Sequence, residues 1–262
     1  MLGPVSPHCI LRPTAPQVKL LDLREDTSDL TTYTFANCVV SPTGGTADFN
    51  YNTNDPRNLP RLRSTTRSAI VVIVHAEDAL ATFGVSSVTL GGVSGVERVD
   101  RGGGTNAINT AIYSWTTDII EGITNTDIVV TFSEAVTGCA VAVIEVSNIG
   151  PFFLMSVSAQ TATGPIGLNG NGAQEFISAV AVIGSTMITG AGSEVFTFSA
   201  NSNPHSNFYP VMLYEASNSE FAYAGGYAIN KNVNGQYGVS EFRISVDWSG
   251  ATAGDAAAVF IG

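Results

Sequence analysis

The chain has 262 residues, of which 44% are hydrophobic and 13% charged, and its formal net charge is −11. Such a composition builds a buried core and excludes a disordered chain. The acidic balance speaks against nucleic acid as a partner, because that binding needs Lys and Arg to displace counterions.

In chain order, residues 1–17 (MLGPVSPHCILRPTAPQ) come first, with Pro4, Pro7, Pro13 and Pro16. Each proline fixes φ and removes a donor, so helix is excluded and an extended arm is expected. As a free segment the arm is expected to be disordered; laid across a neighbour, it would use Ile10 and Leu11 as apolar anchors. No signal peptide is expected, since a charged stretch followed by an apolar one is missing from this segment.

Strand and turn signals then alternate. Residues 18–23 (VKLLDL) and 31–40 (TTYTFANCVV) read as strands around a polar turn. The stretch 41–66 reads as a loop, with Pro42, Pro56 and Pro60. Arg57, Arg61 and Arg63 lie in it and Arg67 just after it, a basic cluster read first as a solvated loop and alternatively as a contact to carboxylates on a partner. Residues 68–75 (SAIVVIVH) have the continuous β-branched run of a buried strand. Further strands are expected at 87–90, 110–115, 127–132 and 139–146, with a tight turn at Gly91–Gly92. The second half continues with 176–183, 194–199, 209–214, 221–229, 242–248 and 256–261. No amphipathic helix of three turns is found, and no run nears the roughly 18 apolar residues of a membrane-spanning helix.

An internal echo organises the chain. Ile128 to Val146 (IVVTFSEAVTGCAVAVIEV) aligns without gaps on Ile244 to Gly262 (ISVDWSGATAGDAAAVFIG), with Phe132 on Trp248 and Val143 on Val259. Upstream, AIVVIV (69–74) resembles AVAVI (179–183), and AIYSW (111–115) resembles FAYAG (221–225). A sheet has an apolar face that must be covered, and two sheets packed about 10 Å apart cover each other. The expected fold is therefore all-β: an antiparallel, jelly-roll-like β-sandwich behind the Pro-rich arm, made of similar halves 18–150 and 151–262. A single sandwich, with one half facing the other, is favoured over two small ones.

The residues that carry chemistry are sparse. Cys9, Cys38 and Cys139 are far apart, and His8, His75 and His205 are scattered, so neither a zinc site nor a disulfide framework is expected. A triad built on His75 lacks a nucleophile elbow. The pairs Glu25 with Asp26, Glu77 with Asp78, and Glu97 with Asp100 sit in polar connections, where solvated charge is the default. GGGTN (102–106) lacks the Lys and Ser/Thr of a phosphate loop. Asp48, Asn50, Asn52, Asn54 and Asp55 alternate like calcium ligands, but the glycine and distal Glu of an EF-hand are missing. An Asn-rich turn is the expectation there. Trp115, Tyr113, Phe208, Tyr209, Tyr214, Tyr223, Tyr227 and Tyr237 suit a strand core better than a sugar platform. No catalytic residue, cofactor or metal is expected.

SSVTLGGVSGVERV (86–99), NTAIYSW (109–115) and TNTDIVVTFSEAVTGCAVAVIEVSNI (124–149), with TYTFANCVV (32–40), resemble virion proteins of tailed bacteriophages, often marine ones. The resemblance covers roughly residues 18–262. It implies a non-enzymatic structural part of a phage particle, a head decoration or a fibre-like appendage, assembled in the host cytoplasm. It implies other virion proteins and further copies of the chain as partners, with closed two- or three-fold symmetry. The alternative is a tail-associated module that binds a receptor or a host glycan. No catalytic residues come with the resemblance.

Overall fold

The computed structural model describes residues 16–40, 67–78, 83–100, 107–116, 123–149, 153–161, 165–169, 178–188, 195–202, 207–231, 242–249 and 253–261. Every regular element among them is a strand. The first half holds β1 (Gln17–Asp26), β2 (Leu30–Phe35), β3 (Arg67–Glu77), β4 (Val85–Leu90), β5 (Val93–Ser94), β6 (Val96–Val99), β7 (Ile108–Thr116), β8 (Ile128–Val136) and β9 (Gly138–Ile149). The second holds β10 (Phe153–Thr161), β11 (Ile166–Asn169), β12 (Ser178–Ile188), β13 (Val195–Ser202), β14 (Asn207–Ser217), β15 (Phe221–Lys231), β16 (Phe242–Ser249) and β17 (Gly254–Ile261).

All strand pairs are antiparallel, and they nest. In the first half β1 pairs with β9, β2 with β8, β3 with β7 and β4 with β5. In the second β10 pairs with β17, β11 with β16 and β12 with β15, while β13 lies beside β14. A chain whose first strand meets its last, and its second the last but one, is a hairpin rolled on itself, the topology of a jelly roll. The sheet orders are β1-β9-β3-β7-β6 with β2-β8-β4-β5, then β10-β17-β12-β15-β14 with β11-β16-β13. Apart from β5, which has no separate counterpart among the described residues, the second half repeats the first strand by strand.

The expected all-β sandwich is present, but it is doubled. The halves do not contribute one sheet each to a single sandwich; each builds both of its own sheets. The layers run from the β8 sheet to the β3 sheet, then the β12 sheet, then the β16 sheet. One core fills the first sandwich with Ile70, Val72, Val74, Tyr113, Trp115, Val130 and Phe132. Another fills the second with Leu168, Ala181, Ile183, Phe196, Ile244, Val246 and Phe260. A third lies between the halves, where Val71, Ile73, Ala142 and Ile144 meet Val180, Val182, Tyr223, Ala257 and Val259.

This layering accounts for the residue types. Successive side chains of a strand point to opposite faces. In β3, Ile70, Val72 and Val74 therefore enter the first core, while Ala69, Val71 and Ile73 enter the joint between halves. A sheet covered on both faces favours apolar residues on both, which is why β3, β12 and β17 hold the continuous runs 69–74, 179–183 and 256–261. The outer β8 and β16 alternate instead, with Ile128, Val130 and Phe132, and Ile244, Val246 and Trp248, turned inward.

Local devices set the ends. Gly91 and Gly92 both have positive φ and close the two-residue hairpin from β4 to β5. Gly95 then lets the chain cross to the other sheet as β6. The Trp115 indole lies where a Cβ on Gly95 would stand, and its Nε1 donates to the Val93 carbonyl at 3.0 Å. The strand expected through Val40 stops at Phe35, because Asn37 has φ of 52° and leaves the ladder. Strands β10 and β11 had no sequence signal strong enough to be expected.

Candidate functional site: the sealed joint between the halves

Of the residues singled out for partner contacts, Ile10, Leu11, Arg57, Arg61 and Arg63 lie outside the described residues. So do the 48–55 loop and the 102–106 glycine run. Arg67 opens β3 opposite Ile149, one residue before a register shift. Asp26 and Ala76 flank Cys139 of β9, which brings the Glu25–Asp26 and Glu77–Asp78 pairs to one end of the first half's inner sheet. Asp100 accepts the Val85 backbone N–H and the Asn109 side-chain amide, both at 2.8 Å. Glu97 lies 3.4 Å from the Tyr113 hydroxyl, and Glu25 accepts the Tyr223 hydroxyl at 2.8 Å. These carboxylates tie strands of the molecule to one another.

The aromatic residues divide as a core would have them. Trp115, Tyr113, Tyr214 and Tyr223 are buried, and Tyr227 packs at the edge of the joint. The side chains of Phe208 and Tyr209, and all of Tyr237, lie outside the described residues.

The side chains with chemical potential converge at the joint. Ten polar side chains are buried among the described residues; four of them, His75, Thr110, Thr186 and Asp255, face the joint, while the adjacent Asn109 and Ser185 turn to the two sandwich cores. Strand β3 brings His75, β7 brings Asn109 and Thr110, β12 brings Ser185 and Thr186, and β17 brings Asp255. His75 is not a solvated strand end: it has no exposed surface. Its Nδ1 lies 2.8 Å from Thr186 Oγ1, and its Nε2 2.9 Å from the Tyr214 hydroxyl. The ring stacks on Tyr223 at 5.1 Å between centroids and meets Tyr214 edge-on at 5.9 Å.

From there the network crosses the halves repeatedly. Thr186 Oγ1 lies 2.8 Å from Thr110 Oγ1 and donates to the Asn109 carbonyl at 3.2 Å. The Thr110 backbone N–H donates to Asp255 Oδ2 at 2.6 Å. Within the second half, Ser185 donates to the Asp255 carbonyl at 2.8 Å.

Burial sets the protonation states. It pushes the His75 imidazole down to about 3, so the ring is neutral around pH 7. Burial likewise pushes the Tyr214 phenol far up. At the rim of the joint, burial pushes the Glu77 carboxyl up to about 7, and the charges of Glu220 and Asp78 add to it. A neutral imidazole held between two hydroxyls, away from water, binds strands together. A general base needs reach to a substrate proton, and this ring is covered on every side.

Sequence reasoning weighed His75 for a triad and set it aside, assigned Tyr214 and Tyr223 to a strand core, and singled out none of Thr110, Thr186 and Asp255. Their signal was polar residues set among apolar ones, Asn109–Thr110 in β7, Ser185–Thr186 in β12 and Asp255 in β17. Within the described residues, no group of three or more His, Cys, Asp or Glu side chains is placed to hold a metal ion. Comparison with protein-family models, with curated proteins and with solved structures finds no match.

Proposed function

We propose that the chain is a non-enzymatic structural part of a tailed-phage particle, a head decoration or fibre-like appendage built from two fused jelly rolls. One observation carries this reading. The polar side chains that converge do so in the joint, and their donors and acceptors are used to fasten one half to the other. Such use of buried polar groups suits a rigid block whose work is shape and attachment. Jelly rolls recur in viral capsids and lectins, which favours the same class of role. The Pro-rich segment 1–17 and Arg57, Arg61, Arg63 and Arg67 are the proposed contacts to neighbouring virion proteins.

The test is attachment. Purified chain is mixed with purified phage heads and, separately, with tails, and bound mass is read after sedimentation. Saturable binding to heads, weakened by deleting residues 1–17, is expected for a decoration protein. Binding to tails alone, or to host-cell glycans, overturns the decoration reading in favour of a receptor-binding module.

A further inference from the structure

The two halves meet as unlike faces, and we infer that a knob of Ile73, His75 and Thr110 seated on the bare Gly184, beside the Tyr214 ring that covers Gly225, makes each face fit the other and not a copy of itself.

The inference begins with residue equivalence. The β3 and β12 sheets face each other with their strand orders reversed: β1 lies by β14, β3 across β12, and β6 by β10. That is the arrangement of a two-fold, self-complementary interface. A bulge fixes the register between the halves. β1 slips one residue opposite Ile144 and Val143, and β10 slips one opposite Ile261 and Phe260. With the bulges superposed, Ala140 corresponds to Ala257. Ala140 pairs with His75, which pairs with Thr110; Ala257 pairs with Gly184, which pairs with Gly225. His75 thus corresponds to Gly184, and Thr110 to Gly225.

These equivalent rows lie against each other. A Cβ placed on Gly184 would stand 2.5 Å from Ile73 Cγ2, 3.1 Å from Thr110 Cγ2 and 3.3 Å from His75 Cε1. A Cβ on Gly225 would run into the Tyr214 ring, which crosses that glycine to reach His75. The first half has side chains where the second has none. Two first halves facing each other would put His75 against His75 in a space that holds one ring. Two second halves would leave an unfilled gap over Gly184, the Tyr214 ring of the same half covering Gly225, and a void loses the dispersion contacts of its lining. A symmetric interface has become a directional one, and specificity comes from what the wrong pairing costs.

The experiment is a double-mutant cycle with a refolding assay on the full chain. Gly184→Ala is expected to lower the thermal midpoint, and the loss is expected to shrink by half or more, or to reverse, in the Ile73→Ala background. There the new methyl enters space that the shortened residue has left. The second readout is mass by light scattering after refolding from guanidinium at low and high protein concentration. The natural chain is expected to recover its starting mass at both. Ile73→Ala/His75→Ala, whose first face is as flat as the second, is expected to give mispaired oligomers at high concentration. Additive effects in the cycle, or clean refolding of the flattened chain at high concentration, overturn the inference. Should the double-alanine chain not fold, Ile73→Leu/Gly184→Ala decides by the same criterion, since leucine lacks the methyl that the new Cβ meets.

Discussion

The Tyr223 hydroxyl donates to Glu25 Oε2 at 2.8 Å, joining strands 198 residues apart in the chain. Glu25 sits on β1, an edge strand of the first half, and Tyr223 on β15, inside the second. The Tyr223 ring also stacks on His75. One phenol therefore holds the rim and the centre of the joint.

Tyr223→Phe keeps the stack and removes the bond. The expected loss is about 1 kcal/mol, because the carboxylate left behind can reach water. Urea unfolding checks it, and Glu25→Gln, which keeps an acceptor, is expected to lose less.

His75→Ala is a heavier change. It leaves a cavity between the sheets and strips the Thr186 and Tyr214 hydroxyls of a partner. The expected loss is about 3 kcal/mol, the sum of a cavity and the stranded Tyr214 hydroxyl, since Thr186 keeps Thr110 and the Asn109 carbonyl. A loss under about 1 kcal/mol in urea unfolding would mean that the joint collapses onto the gap.

The pH dependence follows from two opposed groups. His75 is held down at about 3 when folded, against 6.5 when free. Between these values the unfolded chain binds the proton that the folded chain refuses, so stability falls as pH drops from 6.5 towards 3. Glu77 is raised to about 7, against 4.5 when free. The folded chain now binds the extra proton, so that contribution is full below 4.5 and is lost as pH rises through 7. The slopes oppose each other between 4.5 and 6.5, and a broad plateau of the urea midpoint is expected there. Glu77→Gln should leave a decline that begins at 6.5 on acidification. His75→Gln should leave stability that rises from pH 7 down to 4.5.

Cys38 and Cys139 are buried in the first core, and burial raises both thiols above their ordinary value. A thiolate is the reactive form, so both should resist a thiol reagent in the native chain and label fully in denaturant. Rapid native labelling at Cys139 would mean that the first sandwich opens readily.

Ala107 precedes β7 with φ of 58°, a left-handed conformation that glycine takes without strain. Ala107→Gly should raise stability slightly, or leave it unchanged where chain entropy offsets the relief, within about 1 kcal/mol. A clear loss in thermal melting would show that the alanine methyl is packed.

Much of the fold was legible because β-branched runs and glycine turns act locally. SAIVVIVH announced β3, and Gly91–Gly92 announced the hairpin after β4. The repeat was legible too, but only strand for strand. Gapless alignment puts Val143 on Val259, yet Val143 faces the first core and Val259 the joint. From the inward Phe132 to the inward Cys139 is seven steps, and from Trp248 to the inward Ala256 eight, so the second link is one residue longer. In a period-two structure that one residue turns every side chain to the opposite face. The doubled sandwich was missed for a related reason. An unbroken apolar run says that both faces of a strand are covered, but not by what. The site was least legible, since His75 draws its ring partners from strands more than a hundred positions away.

The double-sided burial of the β3 sheet also sets a timetable. Its outer face is finished when β9 has left the ribosome, but its cover is complete only when β17 follows. At bacterial speeds the intervening stretch of roughly 110 residues takes on the order of 10 s to make. For that interval Val71, Ile73, Ala142 and Ile144 face water on a nascent chain, among neighbours on the same message that carry the same bare sheet. Yield in the cell should therefore depend on translation rate and on chaperones that shield the unfinished product, even where the completed protein is very stable.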